Sequence, residues 1–186
     1  ENFIWLKKPQ NNNLSLSRVF IAFDKQYYLK HALSLIKSIL FTNKNNLLLH
    51  LHLYNPDNEL ISAIETISKN YPDLDISTSY EIIKYSNNIK TYYASRRFVA
   101  LYFLRKEIQN NLISIDADAL FFAKWQITQK LNKKDIISIY PNDIPLWEKI
   151  PAAFLYFSKT DISLKLLIKI AKLLEANLSS GNNLWF

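Results

Sequence analysis

Apolar and polar positions along this chain switch repeatedly between two periods, and those periods predict its elements. Arg18-Val19-Phe20-Ile21-Ala22-Phe23 is an apolar run rich in β-formers that ends at Asp24, the pattern of a buried strand. Tyr28, Ala32, Leu35, Ile36 and Ile39 then recur at helical spacing until Asn43 to Asn46 break the run. Leu47 to Tyr54 predicts a second strand, and Asn55-Pro56-Asp57 predicts a turn into a helix N-cap. Leu60, Ile61, Ile64 and Ile67 continue that helix up to Tyr71-Pro72. Leu74 to Ser79 reads as a weaker third strand, followed by a polar loop around Ser86 to Lys90. Thr91 opens a helix carried on by Phe98, Leu101, Tyr102 and Arg105, and Leu112 to Ile115 is a fourth strand. Ile136 to Tyr140 and Ala152 to Phe157 are two further strand candidates. Thr160 is placed to cap a last helix, with Ile162, Leu166, Leu167, Ile170 and Leu174 as its inner face and Lys165, Lys169 and Lys172 opposite. Residues 1–17 show no sustained period and read as a lead-in segment or linker.

Strand and helix alternate through residues 18–186, which predicts an α/β domain. The short apolar strands suit a mixed, mostly parallel sheet with helices on both faces. In such sheets ligands collect at the carboxyl ends of strands, which points to Asp24 and to Asp116-Ala117-Asp118.

Composition narrows the picture. The 186 residues suit one domain, and 49% hydrophobic against 21% charged describes a folding chain rather than a disordered one. No apolar run approaches the roughly 20 residues of a membrane helix, and no N-terminal signal pattern is visible. A cytoplasmic location is therefore expected. Without cysteine, disulfides and thiolate-held zinc are excluded. The single glycine, Gly181, cannot build a phosphate-cradling loop, so dinucleotide and P-loop fingerprints are excluded too. With no methionine, Glu1 reads as other than the native start, and the chain is expected to be an excerpt of a longer protein, truncated at its C-terminus.

The net charge of +7 is uneven, with 10 basic against 8 acidic residues before Tyr93 and 13 against 8 from there on. A basic second half suits a phosphorylated ligand or a polyanion. Only four of the 23 basic residues are arginine, however, and Asn, Ile and Lys are abundant together, as in low-GC coding sequences. The lysines are read as solvated faces, and a nucleic-acid-binding domain, motivated by charge alone, is the weakest alternative. The aromatics fall mostly in strands and on apolar helix faces, as core residues do. His50 and His52 share one side of a strand and are read as structural, not as metal ligands.

The chemistry concentrates at Asp116-Ala117-Asp118. In extended backbone, residues i and i+2 project to the same side about 6.6 Å apart, so the two carboxylates would repel unless a cation lay between them. A hard divalent ion meets that need, and Mg²⁺ commonly takes one or two carboxylates plus substrate phosphates. The plainer reading is a pair of aspartates favoured by a turn at a strand end.

Thr91-Tyr92-Tyr93-Ala94-Ser95-Arg96-Arg97-Phe98, a helix, the strand Leu112 to Ile115 and then Asp116-Ala117-Asp118-Ala119-Leu120-Phe121-Phe122 form a recognisable series. Together with the opening Phe20-Ile21-Ala22-Phe23-Asp24-Lys25-Gln26-Tyr27-Tyr28, this series resembles the nucleotide-sugar glycosyltransferases of the GT-A fold, notably glycosyltransferase family eight. The resemblance runs from about Arg18 to Phe186. It implies a GT-A, Rossmann-like domain over residues 18–186 that moves a sugar from a nucleotide diphosphate sugar, UDP-linked by expectation, to a glycan, lipid or protein acceptor. It implies Mn²⁺ or Mg²⁺ as cofactor, no nucleic-acid partner, and room for peripheral attachment to a membrane. Residue by residue, it implies that Asp116 faces the ribose or the metal and that Asp118 coordinates the metal. Arg97, the better match of the adjacent pair, would reach a phosphate or the donor sugar. Asp24 and Tyr28 (or Tyr27) would hold the base. No residue is assigned as the catalytic group.

The sequence departs from the family pattern where Ile150 to Phe157 aligns with a segment that usually reads Asn-Ala-Gly. Pro151 removes a backbone donor there, and Ala153 replaces a glycine that permits close approach of a ligand. An Asp-Gln pair and a metal-binding histidine that follow in the family would lie beyond Phe186. These departures motivate the second reading, a catalytically degenerate transferase-like module used for interaction.

Overall fold

A computed structural model of the chain describes residues 3–10, 13–83, 89–126, 134–138 and 153–179. Among them, seven strands form one sheet in the order β1-β4-β3-β2-β5-β7-β6. These are β1 (Ile4–Lys7), β2 (Ser17–Phe23), β3 (Leu47–Tyr54), β4 (Ile76–Glu81), β5 (Asn111–Ile115), β6 (Ile136–Ser138) and β7 (Phe154–Phe157). The middle four, β4-β3-β2-β5, are parallel, while β1 pairs antiparallel with β4 and β7 pairs antiparallel with both β5 and β6. The expected mixed, mostly parallel sheet is present.

Its central strands are buried on both sides because both sides are covered. From β2 and β3, Val19, Ile21, Leu49 and Leu51 face one core, where they pack with Ile36 and Ile39 of α2 (Leu33–Asn43) and Leu60 and Ile64 of α3 (Asn58–Asn70). On the opposite face Phe20, Leu112 and Phe157 pack with Ala100, Leu101 and Leu104 of α4 (Ile89–Glu107) and Leu167 of α5 (Asp161–Ser179). Asp57 caps α3 as its position predicts, its Oδ1 accepting from Leu60 N at 2.9 Å.

Three local expectations are corrected, and two strands are seen in part. Ile4–Lys7, inside the stretch without a sustained period, adds an edge strand, because Phe3 and Trp5 find aromatic partners on the α4 face. The third strand runs two residues later than predicted, from Ile76 to Glu81, since Ser77 and Ser79 point at His50 and His52 rather than at solvent. The inner row of α5 is Ser163, Leu167 and Ala171, whereas Ile162 and Leu166 are exposed; small residues at 163 and 171 suit a close approach of α5 to α4. The Ile136 and Phe154 strands are seen as Ile136–Ser138 and Phe154–Phe157, and residues 139–140 and 151–152 lie outside the described ones.

A polar seam crosses the sheet on the α4 face. The buried Arg18 pairs with Asp75 at 2.5 Å and donates to Leu49 O at 2.9 Å and Ser77 Oγ at 3.1 Å. His50 contacts Ser77 Oγ and Ser79 Oγ at 2.8 and 2.9 Å, and His52 shares Ser79 Oγ at 2.8 Å. Both rings are wholly buried and stacked against Phe3 and Phe20. Burial pushes the His52 imidazole down to about 3, and burial followed by the charge of neighbouring groups pushes His50 well below its ordinary value. These histidines are structural, as their sequence setting suggests.

Candidate functional site

The chain leaves β2 toward β3 and β4 on one side and later returns to β5 on the other, so the gap between β2 and β5 is a topological switch point. Ligands in open α/β sheets collect outside the carboxyl ends of strands at such a point. Asp24 follows the last residue of β2 and Asp116 follows the last residue of β5, one on each side of it. A cleft of about 450 Å³ opens there, and Asp24, Tyr27, Tyr54, Tyr93, Arg97 and Asp116 line it.

Each of these side chains is held by a local device. Asp24 is the N-cap of α1 (Lys25–Tyr27), its Oδ1 accepting from Tyr27 N at 2.8 Å. A π-helical segment, Tyr28–Ala32, connects α1 to α2. Such a segment holds one more residue per turn than the α-helix and so shifts the phase of what precedes it. Tyr28 turns into the core against Phe23, 5.8 Å between ring centroids, while Tyr27 lies 44% exposed on the cleft wall. Of the two tyrosines left open by the resemblance, Tyr27 is the one that lines the cleft. At the end of β3, Tyr54 stacks on Tyr93 of α4 at 4.4 Å and donates to its carbonyl at 3.1 Å. Asn55 adopts a left-handed φ of 46°, which Asn tolerates, and donates from Nδ2 to the Tyr93 hydroxyl at 3.1 Å.

The adjacent arginines of α4 have separate partners. Arg96 makes a bidentate pair with the buried Glu81 of β4, Nε to Oε2 at 2.7 Å and Nη2 to Oε1 at 3.1 Å, and reaches Glu175 of α5 at 3.2 Å. It ties three elements together. Arg97, about 100° further round the helix, stacks on Phe98 and donates from Nη1 to Asp116 Oδ1. Its Nε is buried and has no hydrogen-bond partner among the described residues.

Asp116-Ala117-Asp118 does not continue the strand. Ala119 N donates to Asp116 O at 3.1 Å, closing a turn in place of the expected extended backbone; aspartate favours turns for local hydrogen-bonding reasons. Asp116 N in turn donates to Ala153 O at 3.0 Å, so Ala153 anchors Asp116 through its carbonyl. Asp118 is exposed, two residues beyond Asp116, and near enough to the Tyr27 hydroxyl for its charge to act on it. Partial burial, then the charges of Asp118 and Asp116, raise the Tyr27 phenol above its ordinary value, while Arg97 opposes them. Tyr27, Arg97, Asp116 and Asp118 are therefore one electrostatic cluster. Sequence reasoning missed Tyr54 and Tyr93 as cleft residues, and only their position at a strand end and opposite it on a helix could have marked them.

Two hard carboxylate donors beside an open cleft fit a divalent cation of the Mn²⁺ or Mg²⁺ type. No third His, Cys, Asp or Glu joins them among the described residues, so such a cation would complete its shell with phosphate and water.

No family model matches the sequence, and no curated protein sequence matches it. Solved structures do. The glycosyltransferase GlyE of Streptococcus pneumoniae TIGR4 superposes with a TM-score of 0.59 over 92% of this chain and 41% of that one, at 14% identity. The fold is that of the GT-A glycosyltransferases. The bifunctional glycosyltransferase WbbM matches it at TM-score 0.57 and 15% identity over 91% of this chain and 36% of that one. Mouse xyloside xylosyltransferase 1 matches at TM-score 0.51 and 14% identity, covering 90% of this chain and 76% of that one. The chain thus spans about two fifths of GlyE and little more than a third of WbbM. At these identities the likeness is one of fold. Pro151 and the Asn182-to-Phe186 segment, where the sequence departs from or leads out of the family pattern, lie outside the described residues.

Proposed function

We propose that this GT-A-fold chain, as residues 18–186 of a longer enzyme with residues 1–17 leading in, binds a nucleotide diphosphate sugar, with UDP the expected carrier, for transfer of the sugar to a glycan, lipid or protein acceptor. The observation that carries the reading is the cluster of Arg97, Asp116, Asp118 and Tyr27 around one cleft at the switch point of a transferase-type sheet.

The roles follow from the chemistry of each group. Asp116 and Asp118 would hold Mn²⁺ or Mg²⁺, which when bound supplies positive charge against the diphosphate that leaves as the glycosidic bond breaks. Arg97 brings a guanidinium to the same charge, in a cleft walled by apolar and aromatic groups where its field is less screened than in water. Asp24 offers carboxylate oxygens to donors on the base or ribose, and Tyr27 and Tyr93 offer ring faces at the cleft wall. Similarity to glycosyltransferase family eight belongs to this proposal, as does a cytoplasmic setting. No helix among the described residues is long and apolar enough to cross a membrane.

Calorimetry tests the reading. UDP should bind in the presence of Mn²⁺ and lose about tenfold or more in affinity on removal of the metal or in Asp118→Ala. Equal affinity with and without metal overturns it. The degenerate-module reading draws on the absence of a third acidic or histidine ligand among the described residues. Hydrolysis of the sugar donor by the longer native chain would eliminate that alternative.

A further inference from the structure

The contact between Arg97 and Asp116 has a consequence for the order in which ligands enter. Asp116 and Asp118 lie two residues apart in one turn and their charges both act on Tyr27, and Arg97 neutralises the first of them from within the cleft. The Arg97 side chain is 13% exposed, against 37% for Asp116, so the guanidinium is largely withdrawn from water while the carboxylate stays open to an arriving ligand. Three observations show that the guanidinium is not locked in this position. Only Nη1 is engaged with Asp116; Nε is buried without a partner; and no second carboxylate pairs with Arg97 among the described residues. Arg96 next to it has three bonds to two carboxylates and serves as the anchor.

A divalent cation arriving at Asp116 and Asp118 meets a carboxylate already neutralised and a positive charge next to it. The formal charge of the cluster would pass from one negative to one positive, an unfavourable state in a partly dry cleft. A diphosphate brings at least two negative charges and reverses the balance, and it gives Arg97 a new acceptor for its unpaired N–H.

We propose that Arg97 is a place-holder, occupying Asp116 in the empty site so that cation and diphosphate bind well only together. This positioning role rests on the donor-site reading above but is tested separately from it. In the empty protein the guanidinium suppresses binding of a bare cation. With the diphosphate present it shifts its hydrogen bonds to phosphate and releases Asp116. Linkage makes the effect reciprocal, so the cation raises diphosphate affinity by the factor by which the diphosphate raises cation affinity.

The probe is Mn²⁺ alone, followed by the loss of its free-ion signal in electron paramagnetic resonance. Arg97→Gln should bind Mn²⁺ about tenfold more tightly than the unaltered chain, because a like charge next to the ligand has gone. The gain should vanish in the double variant Arg97→Gln/Asp116→Asn. In the same protein UDP with Mn²⁺ should bind about tenfold more weakly, so the mutual enhancement shrinks from both directions. Should Arg97→Gln not fold, Arg97→Lys provides the second test. It keeps the charge but not the planar reach, and should tighten Mn²⁺ by less than tenfold. Unchanged or weaker Mn²⁺ binding in a folded Arg97 variant overturns the place-holder, even where UDP binding remains metal-dependent. Tighter Mn²⁺ binding in a protein that never binds UDP leaves the place-holder standing and overturns the donor-site reading instead.

Discussion

Tyr27 and Tyr28 are chemically identical neighbours with opposite assignments. Tyr28 is buried against Phe23, and Tyr27 stands on the cleft wall within the influence of the Asp118 and Asp116 charges. Removing each hydroxyl separates the two. Tyr27→Phe should weaken UDP–Mn²⁺ binding by about threefold to tenfold, the net worth of one hydrogen bond from a hydroxyl at the cleft wall, and leave the melting temperature unchanged. Tyr28→Phe should leave binding unchanged; calorimetry and thermal melts of the two variants read both. Sequence pattern alone placed Tyr28 on the helix face, and correctly so, because a helical period reports burial. It could not place Tyr27, whose orientation follows from the π segment after it, and one-residue changes of pitch leave no trace in hydrophobic spacing. The turn at Asp116 was equally hidden, since an apolar strand running into Asp-Ala-Asp reads the same whether the backbone continues or bends. The choice of Arg97 over Arg96 rested on resemblance; the physical distinction lies in partners on β4, β5 and α5 that no local window contains.

At the scale of elements, the best-read parts were those whose apolar runs end in a hard stop. β2 halts at Asp24, β3 at Asn55-Pro56, and α3 starts on Asp57 and ends at Tyr71 before Pro72. β4 was read two residues early because its inward-facing Ser77 and Ser79 are polar, and only the register against β3 brings them to His50 and His52. That polar seam carries a pH signature. Both histidines are neutral in the fold, with His52 depressed to about 3, whereas the unfolded chain protonates near the ordinary 6.5. Protons are therefore taken up preferentially by the unfolded state between about 6.5 and about 3. The His52 contribution is fully present above 6.5 and is lost as pH falls through that interval, at about 1.4 kcal/mol per pH unit, and His50 acts in the same direction. Urea midpoints at successive pH values should show this slope in the unaltered chain and a shallower one in His52→Gln. A slope unaffected by the substitution would mean that the acid sensitivity lies in the carboxylates.

Across the whole molecule, the sheet is closed at one edge by β1, whose Phe3 and Trp5 cover the histidine seam. A chain beginning at residue 11 should lose about 3 kcal/mol or more of unfolding free energy, the scale of one or two large aromatic truncations, and should melt at lower temperature while its Mn²⁺-dependent UDP binding stays within about threefold. The cleft is built from β2, β3, β5 and α4, on the far side of β4 from this edge. That strand escaped the sequence pattern because Ile4 and Leu6 are exposed and its apolar anchors are only Phe3 and Trp5. The layered α/β plan, by contrast, was legible, since β2 and β3 are long, mainly apolar runs buried on both faces.

The five residues from Tyr28 to Ala32 also bear on how such a chain can change over time. Relaxing all five to ordinary helical pitch at unchanged length would turn Tyr27 by roughly a quarter turn and carry its ring away from the Asp118 carboxylate, whereas deleting one of them would leave its direction nearly as it is. No hydrophobic content need be lost, and the altered protein would still fold. At this spot a one-codon deletion is tolerable where elsewhere in a helix it would not be, and what inheritance has to preserve is the direction of one ring rather than the number of residues.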